Sequence, residues 1–265
     1  MAMIKRIALT AVLLASCLLS ADERTKKNPA PSDAELAAIT ARGRMLAEYD
    51  VAAWHATDAV EALKPDQAVA PLYIAKKIDS GWEVAFGRLG ENRDRFLIVY
   101  RASQGASPKE FTVKKIDPPL EDHDFYLAAA KAIETTSRDF GHPSRAYNTY
   151  VFPSETGQLY VYLLPAQTVK GVFPLGGDVR YTLTSDGSMI AEKRQMHKTI
   201  LESKDSLKPG QKLAAGYHTH ILSDEPEDSD VFHVLSRKPS LPEFVGTPDK
   251  HVYSIQTDGS IRRVQ

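Results

Sequence analysis

Residues 72–113 read LYIAKKIDSGWEVAFGRLGENRDRFLIVYRASQGASPKEFTV. Short runs in this stretch alternate apolar and polar residues, which is the period of a β-strand whose side chains point to opposite faces. The turn-forming segments Asp79-Ser80-Gly81 and Gly90-Glu91-Asn92 separate the runs, and short turns of this kind join antiparallel neighbours. The stretch therefore predicts an antiparallel β-meander over residues 69–111.

A helical period precedes the meander. From Asp33 to Leu63, apolar residues recur three or four positions apart, which predicts helix. Ser32 and Glu35 have the spacing of a capping box that would start this helix. Gly43 and the Asp50-Val51 step predict a break, so we expect two helices in this segment.

The apolar stripe of the same segment includes Tyr49 and Trp54, and core packing is the expected role of both. A further helix is predicted over residues 121–140, where apolar residues again recur at helical spacing. Gly141 follows this run and is the residue type that most often ends a helix.

Beyond residue 140 the period returns to two, over residues 147–264. Asp186-Gly187 and Asp258-Gly259 each lie between alternating runs and predict tight hairpins, because glycine readily adopts positive φ. The order helix, meander, helix, meander is typical of the α+β class, with antiparallel sheets in both halves. We expect an N-terminal α+β region over 33–140 and a C-terminal β-rich region over 141–265.

Residues 1–21 have the order of a bacterial secretory signal. Lys5-Arg6 precede an apolar run from Ile7 to Leu19, which is shorter than the ~20 residues that a membrane span requires. Cleavage before Asp22 would leave residues 22–32 as a polar tether. The expectation is an exported protein that works in the periplasm or cell envelope.

A lipid anchor is the alternative start of the mature chain. Leu14-Ala15-Ser16-Cys17 resembles the lipobox of bacterial lipoproteins, in which the cysteine becomes the lipidated N-terminus. Cys17 is the one cysteine of the sequence, so either cleavage leaves no pair of thiols for a disulfide. Stability must come from an ordinary core, and membrane attachment is expected through the lipid alone.

The charge of the chain argues against one class of partner. The sequence has 33 basic and 34 acidic residues, a net charge of −1, and removal of the signal takes away two basic residues and no acidic one. Nucleic-acid binding needs a basic surface, which this balance does not supply. No nucleic-acid partner is therefore expected.

The candidate site lies in Tyr217-His218-Thr219-His220 and the acidic segment that follows. On a strand, residues i and i+2 point to one face, so the imidazoles of His218 and His220 converge. Asp230 in the acidic segment can return a carboxylate to them. Three such ligands with one open position are how catalytic zinc is held. The alternative interpretation is a solvated histidine pair beside an acidic surface loop.

Two further histidines lie near this segment in the sequence. His197 ends a predicted strand, and His233 follows the acidic segment. Either could supply a fourth ligand or hydrogen-bond to one. A partly buried structural role is the preferred interpretation for both.

The segment resembles the JAB/MPN (JAMM) metalloprotease family. The motif of that family is H-x-H-P, a short loop and S-x-x-D at the start of a helix, with a catalytic glutamate far upstream. His218, His220 and Asp230 match its metal ligands. Ile221 stands in place of the proline, Glu227 in place of the serine, and the loop is one residue shorter.

The resemblance covers at most residues 145–265. It implies a zinc ion, a helix over 229–236, a strand and hairpin over 244–264, and a glutamate that acts as general base. Glu155 is the best-placed candidate for that glutamate. The alternatives are Glu192 and Glu202.

Two functions follow from the sequence. The first is a zinc-dependent hydrolase of amide bonds in the envelope, similar to a peptidase or isopeptidase. The second is a non-catalytic envelope lipoprotein or binding module that presents its surface to a protein, peptide or cell-wall partner. The departures from the family motif at Ile221 and Glu227 are what a degenerate relative would show.

Overall fold

The structure, a computed structural model, describes residues 29–66, 68–202 and 213–265. The predicted signal, Cys17 and residues 22–28 of the predicted tether lie outside the described residues. No helix in the described ranges is long and apolar enough to span a membrane. The elements are α1 (Asp33–Glu61), β1 (Leu72–Ile78), β2 (Gly81–Leu89), β3 (Phe96–Gln104), β4 (Phe111–Asp122), α2 (Phe125–Phe140), β5 (Tyr147–Pro153), β6 (Leu159–Pro165), β7 (Pro174–Gly176), β8 (Val179–Leu183), β9 (Ile190–Gln195), β10 (Ile200–Glu202), β11 (Gly216–Thr219), α3 (Asp228–Ser236), β12 (Glu243–Gly246), β13 (Val252–Ile255) and β14 (Ile261–Arg263).

The predicted meander is confirmed. Strands β1 to β4 form one sheet in chain order, and each neighbouring pair is antiparallel. β4 continues through Pro118 and Pro119 to Asp122, so α2 begins at Phe125 and not at residue 121. Proline fits there because β4 is at the edge of the sheet, where a missing N–H need not interrupt a ladder.

α1 begins where the sequence predicts. The Ser32 hydroxyl accepts from the backbone N–H of Glu35, and the Glu35 carboxylate accepts from the backbone N–H of Ser32. The helix then runs unbroken to Glu61, so the predicted break into two helices is wrong.

Gly43 has a packing role in α1 and does not end a helix. A Cβ at this position would lie 2.4 Å from Cβ of Val231 and 2.7 Å from the carbonyl oxygen of Asp228, both in α3. The absence of a side chain lets the two helices approach closely. One glycine costs about 1 kcal/mol relative to alanine in a helix, which a 29-residue helix tolerates.

The expected core role holds for Tyr49 and is wrong for Trp54. Tyr49 is fully buried, and its hydroxyl accepts from the backbone N–H of Ala75. Trp54 is 61% exposed and stacks on His55 with ring centroids 4.9 Å apart. The helical period places both residues correctly along α1, but only Tyr49 faces the first sheet.

A second sheet has the order β5-β6-β8-β9, again antiparallel throughout. The predicted hairpin at Asp186-Gly187 joins β8 to β9, with Gly187 at φ 72°. Two apolar cores each combine residues from 33–140 and 141–265. One contains Tyr49 of α1 and Tyr162 of β6, and the other contains Ala129 of α2 and Val161 of β6.

A third sheet, in the order β11-β12-β13-β14, carries the candidate site. α3 connects β11 to β12, and these two strands are parallel, whereas the remaining pairs are antiparallel. This parallel pair is a departure from the antiparallel sheets that we predicted. The α+β class is confirmed, and the helix and following hairpin lie where the family resemblance implies.

Candidate metal centre

β11 turns two histidines to the interior. His218 lies in the strand and His220 directly after it, and both are buried, whereas Tyr217 and Thr219 between and before them are exposed. This alternation is the two-residue period of a strand. The strand therefore aims both imidazoles to the same side.

Asp230 comes from the first turn of α3. Its side chain is fully buried, and its Oδ2 accepts from the backbone N–H of Glu227, 2.7 Å away, at the start of the helix. A carboxylate at this end of a helix is favoured by the helix dipole. The close packing of α3 on Gly43 and the short β11–α3 connection bring Asp230 over the two histidines.

A third histidine joins them from the second sheet. His197 lies two residues after β9, and both its backbone N–H and its Nδ1 contact Oδ1 of Asp178, at 3.0 and 2.8 Å. Asp178 precedes β8, the strand that pairs with β9. Of the roles that the sequence left open for His197, a partly buried structural residue or a fourth ligand, this position is compatible with a fourth ligand.

The four ligand atoms have the spacing of a metal site. Nε2 of His220 is 2.9 Å from Nε2 of His197 and 3.2 Å from Nε2 of His218. Oδ1 of Asp230 is 3.1 Å from Nε2 of both His197 and His218, and its Oδ2 is 3.1 Å from Nε2 of His220. Two ligand atoms that share one ion in a tetrahedral site lie about 3.1 Å apart when the bonds to the ion are about 1.9 Å long, close to the length of zinc–nitrogen and zinc–oxygen bonds. These four residues could hold a metal ion.

Each imidazole is oriented by a hydrogen bond on its other side. Nδ1 of His197 faces Asp178, Nδ1 of His218 is 3.1 Å from Oε1 of Glu243, and Nδ1 of His220 is 2.8 Å from the carbonyl oxygen of Glu225. When Nδ1 donates to these acceptors, the unprotonated Nε2 can bind a metal. All three Nε2 atoms point to the common centre.

Asp230 supplies a further indication of a cation. Its Oδ1 is buried, and the described polar atoms next to it are Nε2 of His197 and Nε2 of His218, each 3.1 Å away. When these two nitrogens are unprotonated they have no proton to donate, and a metal ion at the centre would then satisfy the oxygen.

Glu243 can approach His218 because residue 216 is glycine. A Cβ on Gly216 would lie 1.8 Å from Oε2 of Glu243. Arg237 neutralises the same carboxylate from the end of α3, with its NH1 3.4 Å from Oε2. β11, the end of α3 and β12 thus each contribute a residue that keeps His218 in position.

The charges of the cluster stabilise one another. Burial would raise the pKa of Asp230, but the three histidines hold it well below its usual range. Burial would lower the pKa of His197, but Asp230 and Asp178 raise it to about 11. Asp230 and Glu243 likewise raise the pKa of His218 to about 9. His197 and His218 therefore carry protons at neutral pH when no metal competes.

We expect zinc binding at about pH 7.5 to release about two protons, because metal ligation requires neutral imidazoles and both pKa values lie above that pH. The apparent affinity should fall as the pH is lowered, since protons then compete more strongly. Isothermal titration calorimetry in buffers of different ionisation enthalpy measures the number of protons released. A binding enthalpy that does not depend on the buffer would contradict this charge assignment.

The acidic segment before and within α3 is not a solvated surface. Arg194 of β9 pairs with Glu225 and Glu227, and its NH2 is 2.8 Å from an oxygen of each. Asp228 pairs with Arg42 of α1 and Arg180 of β8, at 2.9 and 2.7 Å. Glu227, Asp228 and Asp230 are buried. The alternative of an acidic surface loop is therefore wrong.

A cleft of about 400 Å³ opens onto the cluster. It lies between the β7–β10 pair on one side and β11 on the other, and the three histidines of the cluster line it. Asp230 is not among the lining residues and is fully buried. The histidine side of the cluster thus faces the cleft, and the carboxylate closes the opposite side.

The predicted glutamates lie elsewhere. Glu155 is exposed in the turn between β5 and β6, Glu192 is exposed in β9 beside Thr182, and Glu202 is exposed and pairs with Arg145. No carboxylate is among the described residues that line the cleft. The structure therefore does not bring Glu155 together with the histidines.

His233 has the structural role that the sequence favoured. It is buried, and burial lowers its pKa to about 4, so the ring is neutral. Counting back from the predicted hairpin at Asp186-Gly187 would place Asp178 opposite Gln195. A β-bulge between Thr182 and Leu183 shifts the register by one residue, so that Asp178 lies opposite Met196, next to His197, and local sequence carries no signal for this shift.

No family model matches the chain, and no curated protein or solved structure matches it either. The description of the site therefore rests on its geometry.

Proposed function

We propose that the protein is a zinc-dependent hydrolase of amide bonds whose metal is held by His197, His218, His220 and Asp230. The observation that carries the proposal is the convergence of four ligand atoms at metal-bond spacing beneath an open cleft. The three histidines line the cleft, so a water or substrate could approach a metal that these residues would hold. Catalytic zinc sites combine protein ligands with an exchangeable position in this way.

Bound zinc lowers the pKa of a coordinated water to about 7 and polarises a carbonyl oxygen. Hydrolysis would consume one water for each amide bond and would yield a carboxylate and an amine. The carboxylates of Asp178 and Glu243 hold the histidine rings in position for the ion. Glu155 has no part in this proposal, since nothing brings it to the cleft.

The chain order around the site supports a JAB/MPN-like arrangement. His218 lies on a strand and His220 directly follows it, Asp230 lies in the first turn of the next helix, and a strand with a hairpin follows. His197 is an additional ligand that the family motif does not contain. We therefore propose a relative of that family in which one more histidine holds the metal.

A non-catalytic metal-binding module is the second candidate. The specific observation in its favour is that the protein supplies four ligands, the closed coordination typical of structural zinc. The described lining of the cleft also contains no carboxylate to act as general base. In this case zinc would stabilise the junction of the second and third sheets.

We further propose that the protein acts in the cell envelope after export, with Cys17 as the lipid attachment site if cleavage occurs at the lipobox. This proposal rests on the order of residues 1–21 alone. A protein, peptide or cell-wall component would then be the partner.

Zinc-dependent hydrolysis separates the two candidates. The full chain is stripped with a chelator, reloaded with one equivalent of zinc and assayed against amino-acid 4-nitroanilides and unfolded casein. We expect activity only after reloading, loss in His197→Ala, and no change in His251→Ala, whose ring lies outside the cluster beside Asp249. Stoichiometric zinc without hydrolysis would favour the binding module, and absence of stoichiometric zinc would overturn both.

A further inference from the structure

We propose that the substrate is an extended polypeptide segment that pairs, as an added strand, with the outer edge of β11. This inference rests on the proposed function, because it names the substrate class of the same site. It concerns the backbone of the strand that carries the two histidines.

The first step is the hydrogen bonding of β11. The backbone N–H groups of Gly216 and His220 donate to the carbonyl oxygens of Pro242 and Gly246 on the β12 side. Backbone groups of successive residues in a strand point to opposite edges. Tyr217 and Thr219 therefore direct their N–H and C=O groups away from β12.

The second step is the position of β11. It is the end strand of its sheet, so no described strand pairs with the edge formed by Tyr217 and Thr219. The Tyr217 side chain does not cover this edge, because its hydroxyl lies over Gly246 of β12, 2.8 Å from the position that a Cβ would take. Among the described residues no strand pairs with these backbone groups, which have the geometry to accept an added strand.

The third step is that this edge borders the cleft. Tyr217 and Thr219 line the cleft together with His218 and His220. A strand added to a sheet lies about 4.8 Å from its neighbour, so a peptide paired with this edge would run beside the ligand side chains. Its carbonyl groups would pass close to the histidine side of the cluster.

The walls of the cleft suit the side chains of such a peptide. Leu201 of β10 is 49% exposed, and Ile221 and Leu222 after β11 are 65% and 49% exposed. These residues line the cleft on its two sides. Apart from the histidines, Lys198 is the one charged residue in the described lining. The cleft therefore favours a neutral segment with apolar side chains over a strongly charged one.

The test uses a tripeptide hydroxamate, acetyl-Leu-Ala-Leu-NHOH, whose hydroxamate binds zinc directly, with acetohydroxamate as the matched ligand that lacks the peptide. Each amide nitrogen of the tripeptide is methylated in turn, and binding to the zinc-loaded full chain is measured by calorimetry. In a paired strand every second N–H group points to β11, and the N–H groups between them point away. Methylation of a nitrogen that points to β11 should weaken binding at least about 10-fold, and methylation of one that points away should weaken it less than about 2-fold.

A protein variant supplies an independent measurement. Thr219→Pro removes the outward N–H without removing a bond to β12, because an edge strand tolerates proline on its free side. We expect the ratio of tripeptide to acetohydroxamate affinity to fall at least about 10-fold in this variant. The zinc content of the variant is measured in parallel. If the variant has lost zinc, the substitution has distorted the site, and the methylated peptides alone then test whether the substrate pairs with β11.

The outcomes distinguish this inference from the proposed function. Methylation could weaken binding equally at every position of the tripeptide, while acetohydroxamate still binds and nitroanilides are still cleaved. That result would overturn the paired strand and would still support a hydrolase. An alternating effect without hydrolysis would support the peptide groove and overturn catalysis. A dimer in sedimentation that excludes the tripeptide would show that a second copy occupies the edge, which also overturns the inference.

Discussion

Asp230→Asn is expected to weaken zinc binding by more than about 100-fold, which exceeds the effect of removing a residue that only supports a ligand. Among the described residues, Asp230 is the carboxylate that contacts all three histidine Nε2 atoms, through Oδ1 or Oδ2 at 3.1 Å in each case. Asparagine has the same shape, and its carbonyl oxygen can still accept from the backbone N–H of Glu227. The substitution therefore removes the charge of the ligand and keeps the start of α3.

Zinc content after dialysis and competition with a chromogenic chelator measure this effect, and thermal melting by circular dichroism checks the fold. Asp249→Asn is the matched control. Asp249 also lies beside a histidine, with Oδ2 3.4 Å from Nε2 of His251, but outside the cluster. We expect one zinc per chain in the control. Retention of one tightly bound zinc in Asp230→Asn would contradict the assignment of Asp230 as a metal ligand.

Strand periodicity was sufficient to predict half of this site. His218 and His220 converge because residues two apart share a face, and that rule needs no knowledge of the rest of the fold. Asp230 follows from the acidic residues that open α3. His197 depends on the pairing register of β8 and β9, in which one residue of slip would turn its side chain to the other face. Register of that kind is only weakly encoded in local sequence.

The two wrong predictions in α1 have a common cause. Trp54 and Gly43 were interpreted from local pattern, as a core residue and a helix break. α1 packs against both the first sheet and α3, so neighbours distant in sequence decide which of its faces are buried. The helical period gives the spacing of side chains along a helix, but it does not show which element, if any, packs against each face.

The acidic segment is where local sequence was least informative about burial. Its composition is typical of a solvated loop. Arg42, Arg180 and Arg194 neutralise it, and Arg42 contacts Asp228 across 186 positions of the sequence. Such pairs form only when α1, α3 and the second sheet have assembled, so local charge pattern cannot reveal them.

Asp228→Ala is therefore expected to lower the free energy of unfolding by about 3–5 kcal/mol, the range for breaking a buried ion pair by removing one partner. The Asp228 side chain is 1% exposed, and it accepts from Arg42, Arg180 and the Tyr162 hydroxyl, the last at 2.9 Å. Burial would lower the pKa of Arg180, but Asp228 raises it. Alanine would leave this largely buried guanidinium charged and without its partner.

The measurement is urea denaturation in the presence of a chelator, so that loss of zinc cannot contribute to the difference. Glu48→Ala is the matched control, because Glu48 forms an ion pair with Lys77 in which both side chains are about half exposed. Such surface pairs contribute at most about 1 kcal/mol. Equal destabilisation by the two substitutions would contradict the buried network. If the expected difference is found, α3 is anchored two residues before Asp230 independently of the metal, and the carboxylate is held in place before zinc binds.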